Sequence, residues 1–354
     1  MVVLYAEVGS FIVGFLNVIA KQTGKPIHII EWDEKNNPTK YISTKYIASN
    51  SELLEFYPRS KFDKFLILNW LKERSPSIVL VSGWMDKDYL WACRKYKSLS
   101  SEVKIVALID NQWLGTLRQY VGSLYFRFSY KKIFDYMWVS GKSQYSFAQN
   151  FGYSQDKILC NLLSADTAIF NEKSKFSKRF VFVGRFEKRK GIDLLIDSYN
   201  KLSKETQNEW PLILIGDSEL NNKMANVDNS NISIIPFLQP NELKNELLKG
   251  GVGFLPSYKD QWGLVVHEFA LLGYPLILSS GVGSASEFLI PGYNGFMFTK
   301  GSSDSLHKAL VEITKLSLKD LEKFSERSVM LGERINSEIS AASILSVHFL
   351  EILR

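Results

Sequence analysis

Short runs of apolar residues alternate with longer stretches whose apolar positions recur every three or four residues, and this alternation runs through the chain twice. In the first half the runs 1–6, 27–31, 78–82, 104–109 and 136–140 predict strands, with helical periodicity over 10–21, 61–73, 86–97 and 142–150. In the second half strands are predicted at 180–184, 212–216, 232–236, 252–255 and 275–279. Strands that are apolar along their whole length are buried on both faces, and their alternation with helices predicts a parallel sheet covered on each side. The expectation is an α/β protein of two doubly wound domains, with the polar stretch 171–179 as linker and 336–354 as a last amphipathic helix. Such domains bind ligands beyond the carboxyl ends of their strands, here in a cleft between two sheets, so the chemistry is sought just after each strand.

The length of 354 residues suits two domains, and a chain that is 45% hydrophobic can bury two cores. Cys93 and Cys160 have no neighbouring His, which excludes a disulfide scaffold and a Cys-rich zinc site and fits a reducing compartment. No apolar run reaches the roughly 18–20 residues of a membrane span. The start, MVVLYAEVGSFIVGF, lacks a basic n-region and reads as a first strand, so a soluble cytoplasmic protein is expected. The net charge of +6 is uneven: residues 1–170 hold 21 Lys and Arg against 15 Asp and Glu, residues 171–354 hold 22 against 22. The excess in the first half suggests that it meets a polyanion or an anionic membrane surface.

The densest chemistry follows strand 252–255. A loop holds Pro256, Ser257 and Asp260, a helix is predicted to open near Gly263, and Gly273-Tyr274-Pro275 stops it. Glu268 has Leu264, Val265, Leu271 and Leu272 at helical neighbour positions, so its carboxylate needs a partner rather than solvent. Asp260 faces the ligand side or caps the helix, and the N–H groups from Trp262 to Val265 suit an anion. After strand 180–184, Arg185 is followed by Lys188, Arg189 and Lys190 just ahead of the next helix. These cations have the wrong sign for the helix macrodipole; a bound diphosphate would resolve the conflict, and a solvated basic loop is the bland alternative.

Taken in order, these residues resemble the C-terminal half of a family 4 retaining glycosyltransferase (group 1) with the GT-B fold. The match runs through Gly184, Arg185 and Lys190, Gly216, the Pro-Ser loop, the paired acids Asp260 and Glu268, Gly273 and Pro275, then Gly283, Glu287, Asn294 and Gly295. It departs once, since the family's first acid is Glu and here it is Asp260. The resemblance implies two Rossmann-like domains: 1–170 binding the acceptor, 171–335 binding a nucleotide-sugar donor of UDP or GDP type, and helix 336–354 returning to the first. It implies that Arg185 and Lys190 hold the donor diphosphate and that Glu268 contacts the ribose. Asp260 with the backbone of Gln261, Trp262, Gly263 and Leu264 would hold the sugar and distal phosphate, with Phe237 and Leu238 beside the base. Gly9, after the first strand, would let the backbone approach the donor phosphate, and Asp110 occupies the place of the family's sugar-contacting His. Trp84, Asp86, Asn111, Gln112, Trp113 and Arg118 are candidate acceptor contacts. Asp166 and Phe170 match the family's domain-boundary Asp-x-x-x-Phe.

Asp86-x-Asp88 spells a metal motif, but hard divalent cations need more oxygen ligands, and neither metal nor cofactor is expected. His267 is read as structural, and Asp110 has a turn or cap as its alternative. The stretches 124–138 and 56–72 interleave aromatic and basic residues and suit a helix at an anionic lipid interface, or aromatics that are core with snorkelling cations. Single-stranded nucleic acid also fits such a pattern, but is not expected of a glycosyltransferase. The reaction expected is transfer of a sugar to a hydroxyl of a lipid-linked glycan in surface polysaccharide (O-antigen, capsule or exopolysaccharide) biosynthesis, with peripheral attachment at the inner face of the membrane. Its alternative is a catalytically silent partner subunit of the same fold; an epimerase is disfavoured by the scattered histidines and a nicotinamide enzyme by the missing glycine fingerprint.

Overall fold

A computed structural model describes residues 1–33, 52–217 and 229–352. Packing divides the chain into two compact units, residues 1–164 with 337–354 and residues 165–336.

The first unit runs β1 (Val2–Tyr5), α1 (Ser10–Thr23), β2 (Ile27–Glu31), β3 (Leu54–Pro58), α2 (Lys64–Arg74), β4 (Ile78–Val81), α3 (Lys87–Leu99), β5 (Lys104–Ile109), α4 (Leu117–Ser129), β6 (Tyr136–Val139), α5 (Lys142–Asn150) and β7 (Ile158–Leu159). Its strands form one parallel sheet in the order β3-β2-β1-β4-β5-β6-β7. β4 and β6 are buried at every position, as strands covered on both faces must be. Asp63, Asp86 and Thr116 accept backbone N–H bonds at the starts of α2, α3 and α4, which fixes where each helix begins. Trp138, fully buried, meets Phe15 of α1 edge-on at 4.9 Å and satisfies its indole N–H on the Cys160 carbonyl at 2.8 Å.

The second unit runs β8 (Phe180–Val183), α6 (Ile192–Asn200), α7 (Lys204–Glu209), β9 (Leu212–Ile215), β10 (Ile232–Ile235), α8 (Pro240–Leu247), β11 (Val252–Leu255), α9 (Val265–Leu271), β12 (Leu276–Ser279), α10 (Ala285–Phe288), β13 (Gly295–Phe298), α11 (Ser303–Thr314) and α12 (Leu318–Gly332). Its six strands are parallel in the order β10-β9-β8-β11-β12-β13. The last helix, α13 (Ser337–Ile352), packs against α1 and belongs to the first unit, where Ser340 Oγ meets Ser164 Oγ at 3.3 Å.

Several expectations are corrected. Residues 171–179 are no free linker: Ser174 bonds the Leu272 carbonyl through N and Oγ, and Arg179 pairs with Glu246 at 2.8 Å and reaches the Gly250 carbonyl. The division falls after 164 rather than 170, because Ala165 N donates to His267 Nδ1 at 2.8 Å. The stretch 124–138 is not one helix but the end of α4, a turn and the start of β6, so Phe126 and Phe134 are core while Tyr125 and Phe128 face solvent. Likewise 56–72 divides into the edge strand β3, a 3-10 turn and α2, where Tyr57 and Phe62 pack edge-on against Trp70. The helix expected at Gly263 opens at Val265, which places Glu268 in its first turn.

Candidate functional site

In both sheets the strand order reverses at one place, between β1 and β4 in the first unit and between β8 and β11 in the second. Helices on opposite faces diverge at such a switch point, and the loops beyond the strands' carboxyl ends leave a crevice where α/β folds bind ligands.

In the second unit the switch point is lined by the loops after β8 and β11. Gly184 and Gly216 end β8 and β9 so closely that a Cβ on Gly216, at φ +149°, would stand 2.0 Å from the Gly184 carbonyl oxygen. Only glycine fits there. Lys188–Lys190 form a 3-10 turn ahead of α6, ended by Gly191 at φ +71°. A Cβ on Gly191 would lie 2.2 Å from the Pro256 carbonyl oxygen, so this turn sits directly on the loop after β11. Tyr258 N donates to the Arg189 carbonyl at 3.0 Å and fastens the two loops together. The contact brings Lys190 Nζ within 2.6 Å of Asp260 Oδ2, with side chains only 16% and 9% exposed. A buried carboxylate requires such a partner.

The Asp260 backbone is held as firmly. Its N–H donates to Gly281 at 3.0 Å, its carbonyl accepts from Gly283 N at 3.1 Å, and Ser284 Oγ donates to the Gly263 carbonyl at 3.1 Å. Asp260 therefore is not the cap of α9, whose preceding residue is Leu264. Among the described residues no backbone carbonyl accepts from the N–H groups of Gly263, Leu264 or Val265. Arg185, about a third exposed, pairs with Glu187 at 3.0 Å, and Glu187 also takes Arg189 at 3.3 Å. Glu187 was not singled out in the sequence; its place two residues after Arg185 is the signal that could have found it.

Glu268 lies beside Asp166, and no described residue donates a hydrogen bond to its carboxylate. Burial, with the Asp166 charge adding to it, pushes its pKa up to about 7. Burial also raises Asp166, against the N–H groups of Ala168 and Ile169 that it accepts. His267 is fully buried and structural. Nδ1 accepts from Ala165 N, which fixes the tautomer with the proton on Nε2, donated to the Gly332 carbonyl at 2.9 Å. The ring stacks on Phe288 at 4.3 Å, and burial pushes its pKa down to about 4. Asn294 is likewise structural, holding Ile290 N, the Phe288 carbonyl and Ser328. The Trp262 side chain turns inward against Phe288, which leaves only its backbone available to a ligand. Phe237 and Leu238 lie half-buried in the loop after β10, and Gln261 is half-buried beside Asp260.

In the first unit Gly9 precedes α1, with Phe11 occupying the place where a Cβ would stand. The loops after β1 and β4 are joined by Ala6 N donating to Ser82 Oγ at 3.0 Å. Tyr5 lies below them, its hydroxyl pKa raised by burial and by the charges of Asp110 and Glu7. Asp110 and Asn111 are exposed after β5, with the Asp110 carbonyl taking Gln144 Nε2 at 3.1 Å. Asp86, Trp84, Trp113 and Gln112 have structural employment. Asp86 caps α3, pairs with Arg59 at 2.8 Å and accepts from Trp32 Nε1 at 3.1 Å, while Asp88 holds the same arginine at 2.8 Å. Trp84 stacks on Phe147 and Phe151, Trp113 meets Tyr120 edge-on, and the buried Gln112 offers its carbonyl to Gln119 at 2.6 Å. Arg118 is exposed on α4. Among the described residues no three His, Cys, Asp or Glu side chains gather as a metal site, and no helix is long and apolar enough to cross a membrane.

Two doubly wound parallel sheets in one chain, one of them with clustered cations and an acid at its switch point, define the GT-B class of fold. The Anabaena protein HepE in complex with UDP and glucose shares it, with a TM-score of 0.73 over 98% of this chain and 99% of that one at 14% identity. Residues 166–329 match the family model of the group 1 glycosyl transferases, and the second unit is a domain of that family. An uncharacterised glycosyltransferase of Methanocaldococcus jannaschii is 31% identical over 137 residues, 38% of this chain and 37% of that protein. An uncharacterised protein of the cps region of Klebsiella pneumoniae is 28% identical over 165 residues, 44% of this chain and 45% of that protein. The chain thus spans less than half the length of these two relatives.

Proposed function

We propose that the protein is a retaining, metal-independent glycosyltransferase that moves a sugar from a nucleoside-diphosphate sugar to a hydroxyl of a lipid-linked glycan. The pathway proposed is surface-polysaccharide biosynthesis, at the inner face of the membrane. The observation that carries the reading is the Lys190–Asp260 pair, 2.6 Å apart at the switch point of a group 1 glycosyl transferase domain, with Arg185 on the same loop. The complex of HepE with UDP and glucose, and the cps-region relative, support a UDP-type donor and a polysaccharide product.

In this reading Arg185, Lys190 and the free N–H groups at Gly263 to Val265 receive the diphosphate. They stabilise the charge that develops as the bond from the anomeric carbon to the phosphate oxygen breaks and its electron pair stays on the diphosphate. The acceptor oxygen bonds to the same face of that carbon, and its proton passes to the departing phosphate. Asp260 holds sugar hydroxyls, and Glu268 the ribose. Cations fixed in place supply the charge that a metal would otherwise bring. The first unit binds the acceptor.

A thermal-shift screen against UDP, GDP, ADP, CMP and dTDP, with and without EDTA, tests the donor reading by linkage. A rise in melting temperature with one diphosphate, surviving EDTA and lost in Glu268→Ala, is expected. No rise with any of them refutes the reading. Binding without transfer to any acceptor or to water would make the protein a silent partner subunit.

A further inference from the structure

Helix α4 carries its apolar residues outward. Only Ser123 and Phe126 are buried, whereas Leu117, Tyr120, Val121, Leu124, Tyr125 and Phe128 are exposed, Leu117 and Phe128 at 80% each. At about 100° per residue those six fall within an arc of about 140°, opposite the buried pair. Arg118 lies at one margin of the arc and Arg127 at the other. Single exposed apolar side chains are ordinary, but six on one face of one helix mark a surface that another phase or molecule covers.

The charge around this face has one sign. Between Asp110 and Asp135 the sequence has Arg118, Arg127, Lys131 and Lys132 and no acidic residue. Beside Tyr125 and Phe128 an open groove of about 800 Å³ is walled by Arg94, Lys97 and Lys132. Lys97 is held by Asp135 at 2.7 Å, and Arg94 gives one N–H to the Ser129 carbonyl at 2.7 Å, so Arg94 and Lys132 keep their charge unpaired by any described carboxylate.

We propose that α4 lies in the interface of an anionic bilayer, its six apolar side chains among the acyl chains and a lipid phosphate in the groove at Arg94 and Lys132. This deepens the peripheral-membrane part of the proposed function and rests on it. The aliphatic Leu117, Val121 and Leu124 at the middle of the arc decide against nucleic acid, because bases stack on aromatic faces and not on branched alkyl groups. Arginines at both margins have stems long enough to reach the headgroups while the arc is immersed.

Sedimentation with vesicles of phosphatidylcholine, with and without phosphatidylglycerol, tests it. The full chain should bind the anionic vesicles, with affinity falling as salt rises. Leu117→Ser/Phe128→Ser should lower the partition coefficient about a hundredfold, about tenfold for each side chain withdrawn from the lipid. Arg94→Ala/Lys132→Ala should remove most of the preference for anionic lipid. Leu318→Ser/Met330→Ser, at exposed apolar positions of α12, should change nothing. All these side chains are solvent-facing, and unchanged melting temperatures verify the fold. Vesicle binding that persists in Leu117→Ser/Phe128→Ser would overturn the assignment to α4 and leave the membrane reading standing. No binding of the wild-type chain to either vesicle would overturn both. A dimer in vesicle-free solution that this variant abolishes would give the face to a second copy of the chain, and binding to oligothymidylate instead of vesicles would give it to nucleic acid; either result refutes the proposal.

Discussion

Glu268→Gln should make the protein more stable in alkaline solution while weakening the proposed nucleotide binding. Glutamine has the shape of the carboxylic acid and is neutral at every pH, so the variant reports what ionising Glu268 costs. The wild-type side chain ordinarily titrates at 4.5, and in the fold burial and the Asp166 charge push this to about 7. A pKa raised by folding stabilises fully below the unfolded value, and that contribution is lost as the pH rises through the folded one. Wild type and variant should therefore be equally stable below 4.5, diverge as the pH rises from there to about 7, and differ by a constant amount above it, the variant being ahead.

At about 1.4 kcal/mol per tenfold change in proton affinity, the gap corresponds to at most about 3 kcal/mol. Glu268 keeps some solvent contact, which reduces the expected difference to roughly 1–2 kcal/mol, or about 3–6 °C in melting temperature for a unit of this size. The assay is thermal unfolding of both proteins from about pH 4 to about pH 9, followed by the nucleoside-diphosphate screen at the upper end. His267 titrates in both proteins and cancels in the difference. A difference that stays constant over that whole range, or grows toward acid, would refute the argument that burial and Asp166 oppose the charge. Asp166→Asn should shrink the divergence by removing the second cause.

Lys190→Ala leaves the Asp260 carboxylate without its cation at 9% exposure and should cost about 2–4 kcal/mol; Lys190→Ala/Asp260→Ala should cost less than the two single changes added, measured by urea unfolding. His267 contributes stability that is complete above its ordinary 6.5 and lost as the pH falls through about 4; in His267→Ala the orphaned Ala165 N–H and Gly332 carbonyl should cost about 2–4 kcal/mol at neutral pH, and acid should then cost the variant less than the wild type, both read from urea midpoints. Gly216→Ala forces a methyl to within 2.0 Å of the Gly184 carbonyl at φ +149° and should destabilise by about 2–4 kcal/mol, visible as a melting temperature lowered by several degrees.

Where a residue's partner stands near it in sequence, or where a strand's end dictates its neighbourhood, the sequence was readable. Continuous apolar runs mark β4, β6, β11 and β12, since a strand buried on both faces can have no polar face. The half-exposed edge strand β3 lacks that mark and was missed. The cations after β8 and the acids after β11 were legible as chemistry, but their contact through Gly191 and Pro256 is a tertiary fact with no local sign. The same limit hid Arg179–Glu246, which turns an apparently free polar linker into part of the second unit. Aromatic and basic interleaving over 124–138 could not say that α4 ends at Ser129 and that Phe134 goes inside.

The two acids of the motif are in opposite electrical situations, and this makes sense of the aspartate where the resembling family has glutamate. Asp260 is clamped by its own backbone bonds to Gly281 and Gly283, and its short side chain meets the Lys190 ammonium at 2.6 Å. A glutamate on the same anchored backbone is one C–C bond, about 1.5 Å, longer and would have to fold back to keep the same contact. Glu268, eight residues on, has no cation paired with it among the described residues and a like charge at Asp166, so the fold favours its protonated form. A diphosphate arriving beside Lys190 competes with Asp260 for the ammonium protons, of which there are three, and need not displace it. Hydroxyl groups arriving at Glu268 supply the hydrogen bonds that favour its ionised form. Ligand binding should therefore lower the Glu268 pKa and release protons near neutral pH, read as proton release by calorimetry in buffers of different ionisation enthalpy.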